Sequence, residues 1–404
     1  MGFILVAVLI DMLAVGLIIP VLPALVGSFT ASAAEQAFWY GAVAFAFGIA
    51  SFLGGPVMGA LSDRFGRRPV LLIGFGALAL NFFANALATA LWVLLLVRFV
   101  SGAMQANVAV AQAYVADITP PAERARRFGL LGAMLGLGYT FGPVAGGVLG
   151  DIDLRLPFFV AGALALLNTL YGAFVLPESL PPERREPLRW SRANPVAALR
   201  ALGALRGVGP LVWVLALAGL AQFTLHMSWV LHNTFKFGWG PKENGWSLFA
   251  VGVMAVLVQG GLMKRLLRVF TPQRLATIGM ASATLAYLGW GLATEPWMVF
   301  AIIGLNLFGF AAMVSIQGLI SAAADERDQG RTMGSVASLN SLTGVAAPVI
   351  AAALLGAVAG LPPGDWRIGA PFFFCAVLQG IAALLALRHF RRQHDTPAAA
   401  AATL

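Results

Sequence analysis

The chain has 404 residues, 59% hydrophobic and 11% charged, with a formal net charge of +9. Soluble domains carry about a quarter charged residues, so this composition excludes an ordinary water-soluble fold. Cys375 is the only cysteine, which excludes an internal disulfide and a cysteine metal cluster.

Apolar runs between charged or Pro/Gly-rich breaks predict twelve membrane spans. They lie near 2–27, 36–60, 69–90, 91–115, 128–150, 157–177, 208–234, 245–264, 273–293, 296–322, 332–360 and 369–390. The fold class is therefore an all-α polytopic membrane protein. The first run is too long for a cleavable signal, lacks a basic start and carries Asp11. Asp11 is the one acid deep in a predicted span. Burying a carboxylate is costly, so an acid there is a functional candidate, here a proton carrier. Its plainer reading is a residue near the cytoplasmic end of the first helix.

Between the second and third spans, GALSDRFGRR (59–68) crowds Asp63, Arg64, Arg67 and Arg68 together. Gly59 and Gly66 permit a tight turn and close helix approach. Asp63 can cap the next helix. The arginines can pair with acids on neighbouring ends, with Asp117 and Glu123 as candidates. Such a cluster would latch one conformational state and break in the other. The plainer reading is a positive-inside anchor.

Asn81 lies midway along the third span. The fourth contains Arg98, the one deep base, and lines up Gly102, Gln105, Ala109 and Gln112 with it at helical spacing. In the fifth, GYTFGPVAGG (138–147) places Gly138, Gly142, Gly146 and Gly147 on a smooth face, with Pro143 bending it. The segment 178–207 is the longest polar stretch and divides six spans from six. The halves echo each other: Gly129 to Pro143 matches Gly334 to Pro348, each glycine preceded three residues earlier by an arginine. Such parallel repeats place a substrate site between the halves. The expected organisation is a bundle over 1–177, a cytoplasmic linker over 178–207, a bundle over 208–390 and a cytoplasmic tail over 391–404. The seventh span carries Gln222, His226, Trp229 and Asn233 on one face. The tenth carries Asn306, Met313 and Gln317. Polar faces on apolar helices fit a water-filled cavity, with interhelical hydrogen bonds as the rival explanation. His226 is a second candidate for protonation.

Most of the 26 Lys and Arg fall in loops after even-numbered spans and in the tail. The opposite face has only Arg155, Lys236, Lys242 and Arg367. The arginine-rich face, after the even-numbered spans, is expected to be cytoplasmic, with both termini inside. The positive charge then serves topology and lipid contact, and nucleic acid is not an expected partner. No nucleotide-binding loop, nucleophile motif or metal-ligand cluster stands out in the sequence. An enzyme and an ATP-driven pump are therefore not expected, and no cofactor is.

GALSDRFGRR resembles the signature loop of the major facilitator superfamily. RFVSG (98–102) resembles its fourth-helix motif, and GYTFGPVAGG the fifth-helix pattern of its antiporters. Within that superfamily the chain looks most like the tetracycline–proton antiporters, through DMLAVGLIIPVLP (11–23), SDRFGRRPVLL (62–72), PFF (157–159), WVL…FGW (229–239) and IQG (316–318). It departs from that group where Asn81 replaces a third-helix acid and Ser282 and Ala283 occupy the region of a ninth-helix acid. The resemblance implies proton-coupled efflux of a small lipophilic drug, tetracycline-like, with a Mg chelate as one form of it. Alternating access would drive it across a bacterial inner membrane, with the proton gradient as energy source and the protein acting as a monomer. Asp11, Arg98 and His226 would couple protons. A same-fold importer or facilitator of a small metabolite is the alternative.

Overall fold

The computed structural model describes residues 1–105, 107–187, 209–323 and 329–401, with the side chains of 125, 209–210, 321–323, 329–335, 337–338 and 392–401 outside that description. Among the described residues twelve helical spans are long and apolar enough to cross a membrane. In order they are span 1 (Gly2–Gly27), span 2 (Ala33–Phe65), span 3 (Arg67–Ala86), span 4 (Leu91–Asp117), span 5 (Arg126–Ile152) and span 6 (Leu156–Val175). Then come span 7 (Leu211–Phe237), span 8 (Pro241–Val269), span 9 (Pro272–Leu292), span 10 (Pro296–Ile320), span 11 (Leu339–Val358) and span 12 (Trp366–Arg391). Their outer surface is apolar: Phe174, Leu305, Val269 and Leu80 are all strongly exposed. Lipid tolerates such a surface and water does not.

Local chemistry sets the span ends. Ser32 accepts the Glu35 N–H at 3.2 Å while Glu35 reaches back to the Ala31 N–H, starting span 2 before the predicted position 36. Its helix then runs through Phe65, so residues 61–65, expected in a turn, form its last turn. The turn itself is Gly66 alone, at φ 104° and ψ 159°, a conformation that needs glycine. Thr271 caps span 9 by accepting the Arg274 N–H, with Pro272 at the first helical position.

Three spans are irregular. Span 4 consists of Leu91–Met104 and Asn107–Asp117, broken at Gln105. Span 10 breaks between Leu305 and Gly309. Span 8 carries a π-helical turn at Leu257–Leu262. Spans 5 and 11 each hold a proline inside one long helix, Pro143 and Pro348. The last helix continues to Ala401, so the segment expected as a tail from 391 begins as a continuation of that helix.

The chain separates into two compact units. The first is Met1–Pro195 with Gly238–Gly252; the second is Val196–Phe237 with Val253–Leu404. The start of span 8 thus packs with the first unit, which the expected division at the linker did not include. In the first unit, span 1 packs on spans 5 and 6, and span 2 on span 4. In the second, span 7 packs on spans 11 and 12, and span 9 on spans 10 and 12. Most of the predicted linker, from 188, lies outside the described residues, as do Arg189, Arg192, Arg200, Arg206 and Arg327.

Candidate functional site

Asp11 sits in the middle of span 1 and is 2% exposed. Asn107 Nδ2 donates to its Oδ1 at 3.1 Å. Asn107 begins the second half of span 4, and its side chain fills the space beside Gly74 of span 3. One turn earlier, Asn168 of span 6 donates to the Ala7 carbonyl at 2.9 Å. Asn107 thus ties span 4 to the buried carboxylate beside span 3, and Asn168 ties span 6 to the backbone of span 1 one turn away. Neither amide stood out in the sequence. The signal available was an asparagine inside an apolar run, which is expensive in lipid unless bonded.

Arg98 is also buried, and the structure does not pair it with Asp11. Its guanidinium lies 5.8 Å from the centre of the Phe47 ring, and Nε and Nη2 have no hydrogen-bond partner. Gly102, expected to share a cavity face with it, instead meets the Phe47 carbonyl and Ala50 of span 2. Gly54 of span 2 meets the Ala103 backbone in the same seam. Small residues let these helices touch, and that contact uses the face. The break at Gln105 then interrupts the helical register. Gln105 is half-buried and Gln112 exposed. Asn81 is buried and accepts from the Asn85 side chain at 3.0 Å, a pairing along its own helix.

In the second unit, Gln222 and His226 are half-buried along span 7. Trp229 was expected on a face that lines a water-filled cavity. It lies instead in an aromatic core, 5.0 Å from the Trp290 ring and 5.9 Å from Phe372. Asn233 is buried one turn further along span 7. Asn306 marks the break in span 10, and its Oδ1 accepts from Ser282 at 3.0 Å. Met313 packs against the apolar core of spans 7, 9 and 12, and Gln317 is half-buried. Lys236, expected in an outer loop, is buried in the last turn of span 7 and donates to the Gly291 carbonyl at 2.5 Å. His232 is buried one turn before it, with Nδ1 3.1 Å from the Ile368 carbonyl. Sequence reading missed both ionisable groups.

The charge cluster at Gly66 is built around Arg67. Its Nη1 lies 2.6 Å from Asp63 Oδ1 and its Nε 3.0 Å from Asp117 Oδ2. Nη1 also donates to Ser62. Arg68 donates to the Ala173 carbonyl at 2.6 Å, while Arg64 is exposed and lies over Phe65. Two expectations change. Glu123 is not brought to the cluster, because it pairs with Arg127 four residues along its own helix. Asp63 does not cap span 3; Glu178 does, accepting the N–H groups of Arg67 and Arg68. Gly59 has open space where a side chain would be, so close approach does not explain it.

The fifth-span glycines have two distinct jobs. Gly138, Gly142 and Gly146 meet the backbone of span 1 at Met12–Leu13, Gly16 and Leu17. Gly147 faces the other way, onto Pro241, Lys242 and Gly245 at the start of span 8. The Phe141 and Phe249 rings meet at a tilt of 58°, with centres 5.5 Å apart, in that second contact. No group of three or more metal-ligating side chains occurs among the described residues.

Comparison with known proteins places this architecture. The family profile for the Major Facilitator Superfamily matches residues 4–348. The class C tetracycline resistance protein of Escherichia coli is 37% identical over 367 residues, covering 91% of this chain and 92% of that protein. The class B protein of Escherichia coli is 31% identical, covering 94% of this chain and 95% of that protein. Among solved structures, the nucleoside transporter NupG overlays with a TM-score of 0.76 at 12% identity, covering 96% of this chain and 98% of that one. The human organic anion transporter MFSD10 overlays with a TM-score of 0.71 at 22% identity, covering 95% and 98%. This chain belongs to the major facilitator superfamily, in the group of its tetracycline resistance relatives, and is a multi-pass membrane transporter of small molecules and not an enzyme.

Proposed function

We propose that the chain exports tetracycline-like compounds in exchange for protons, by alternating access. The observation that carries this reading is Asp11, a carboxylate 2% exposed inside span 1 and hydrogen-bonded by Asn107. An acid is kept at such depth only for a function that uses its charge or its proton. Outward-facing Asp11 takes a proton as substrate leaves; inward-facing Asp11 loses it as substrate enters. Relatives named for tetracycline resistance favour export over import or facilitation. Arg98 and His226 serve the proton step or its charge balance. The polar residues Asn81, Gln105, Gln112, Gln222, Asn233, Asn306 and Gln317 offer hydrogen bonds to substrate, the Mg chelate being one form of it.

Asp63, Arg67, Arg68 and Asp117 form the latch around the Gly66 turn. The protein works as a monomer in a bacterial inner membrane, both termini cytoplasmic, in contact with anionic lipid. The proton gradient supplies the energy, and no cofactor is needed. The test uses everted vesicles energised to an acid interior and titrated with Mg–tetracycline. Native protein should collapse the gradient and Asp11→Asn should not. Collapse by the variant at the native rate would remove Asp11 from the mechanism.

A further inference from the structure

We propose that Glu178, the first residue of the polar segment after span 6, is a positioning residue for the Arg67–Asp117 latch. This rests on the latch reading above and adds a second layer to it. The Glu178 carboxylate gathers four backbone N–H groups. Oε1 accepts from Arg67 at 2.8 Å, Ser179 at 2.9 Å and Leu180 at 3.0 Å; Oε2 accepts from Arg68 at 3.2 Å. The first amides of a helix have no intrahelical acceptor, and an anion suits that end. A Cβ on Gly66 would fall on this carboxylate, so the positive-φ glycine also makes room for it.

The same short segment holds the other half of the latch. Ser179 Oγ donates at 3.3 Å to Asp117 Oδ2, the oxygen that also receives Arg67 Nε. On either side, Tyr114 of span 4 donates to the Pro177 carbonyl at 2.9 Å, and the Glu186 N–H donates to the Asp63 carbonyl at 3.2 Å. Residues 177–186 thus act as a strap. They fix the backbone that carries Arg67 and touch the acid it pairs with, while Glu178 itself does not contact the guanidinium–carboxylate pair. Movement of the polar segment would therefore reach the latch directly.

Two measurements on the full-length protein test this. The first is hydrogen exchange of the Glu178→Gln variant, which places an amide NH₂ where an acceptor is needed. Exchange in the peptide holding residues 67–68 should quicken by about tenfold or more, because Oε2 is the acceptor of the Arg68 N–H, with distant spans unchanged. Native exchange there would overturn the proposal. The second is Mg–tetracycline transport in proteoliposomes by Arg67→Ala, Glu178→Gln and the double variant. Glu178→Gln should lower the maximal rate by about three- to tenfold at unchanged KM, and the double variant should match Arg67→Ala alone. Losses that multiply would place Glu178 outside the latch and refute the positioning role. Native transport by Arg67→Ala would instead sink the latch reading, with the exchange result still reporting on the strap. If Glu178→Gln fails to insert, Ser179→Ala keeps the caps and removes one bond to Asp117. It should slow transport without altering exchange at 67–68, and a native rate would overturn the proposal.

Discussion

Substituting Gly142 by alanine adds one methyl group where there is no room for it. That carbon would lie 2.6 Å from Gly16 Cα and 2.8 Å from Gly16 C. Carbon atoms in contact prefer about 3.5–4.0 Å, so the two helices must part by about 1 Å. Neither obstacle can rotate away, because both are backbone. Overpacking of this kind costs about 1–3 kcal/mol. The upper half of that range applies, because parting at Gly142 also loosens the contacts at Gly138 and Gly146. Replacing a helical glycine by alanine returns about 0.5–1 kcal/mol through the unfolded chain, leaving a net loss of about 1–2.5 kcal/mol. Gly132 lies on the same helix with nothing within 4 Å of its missing Cβ, so Gly132→Ala keeps only the gain. The midpoint of thermal inactivation in detergent should fall for Gly142→Ala and hold or rise for Gly132→Ala. Gly142→Ala at or above native stability, or the two variants falling together, would refute the close-contact argument.

Three further outcomes follow from the same structure. Asp117→Asn removes one partner of an ion pair whose side chains are 11% and 23% exposed. A loss of about 1 kcal/mol would appear as a roughly fivefold lower maximal transport rate in proteoliposomes at unchanged KM. Lys236→Met leaves the Gly291 carbonyl at the end of span 9 without its donor; inactivation midpoints should drop by the equivalent of about 1 kcal/mol, and an unchanged midpoint would discount that cap. Asp11→Asn should keep downhill exchange of Mg–tetracycline between vesicle interior and medium while losing uptake driven by an imposed pH gradient.

Hydropathy alone placed every span, because a bilayer demands about 20 apolar residues and punishes anything else. The fifth-span glycines were also legible, since small residues at helical spacing have few other uses in lipid. The misses share a cause. A helical wheel assumes an unbroken helix, so the face running from Arg98 to Gln112 could not anticipate the break at Gln105. Trp229 looked available to a ligand because sequence spacing says nothing about Trp290 or Phe372, which arrive from other spans. Glu178 meets Arg67 across 111 residues, a distance no local pattern covers. Lys236 sits at the end of an apolar run and reads as a loop charge until Gly291 is placed beside it.

The separation of Asp11 from Arg98 carries the last consequence. A deep acid and a deep base in neighbouring spans invite the inference that they neutralise each other. Here Asp11 is held by Asn107, at the start of an 11-residue helix whose positive end favours an anion. Arg98 lies in the other half of span 4, over Phe47, with two nitrogens unpartnered. If the two were a pair, removing the guanidinium would displace the titration of the carboxylate and with it the pH profile of transport. If they act separately, Arg98→Gln should lower the transport rate and leave the midpoint of the pH profile in place, while Asn107→Leu should displace that midpoint. Proteoliposome transport of Mg–tetracycline, measured across external pH for both variants, separates the two arrangements. A displaced midpoint for Arg98→Gln alone would mean that the base governs the acid after all, and that Asn107 is packing and nothing more.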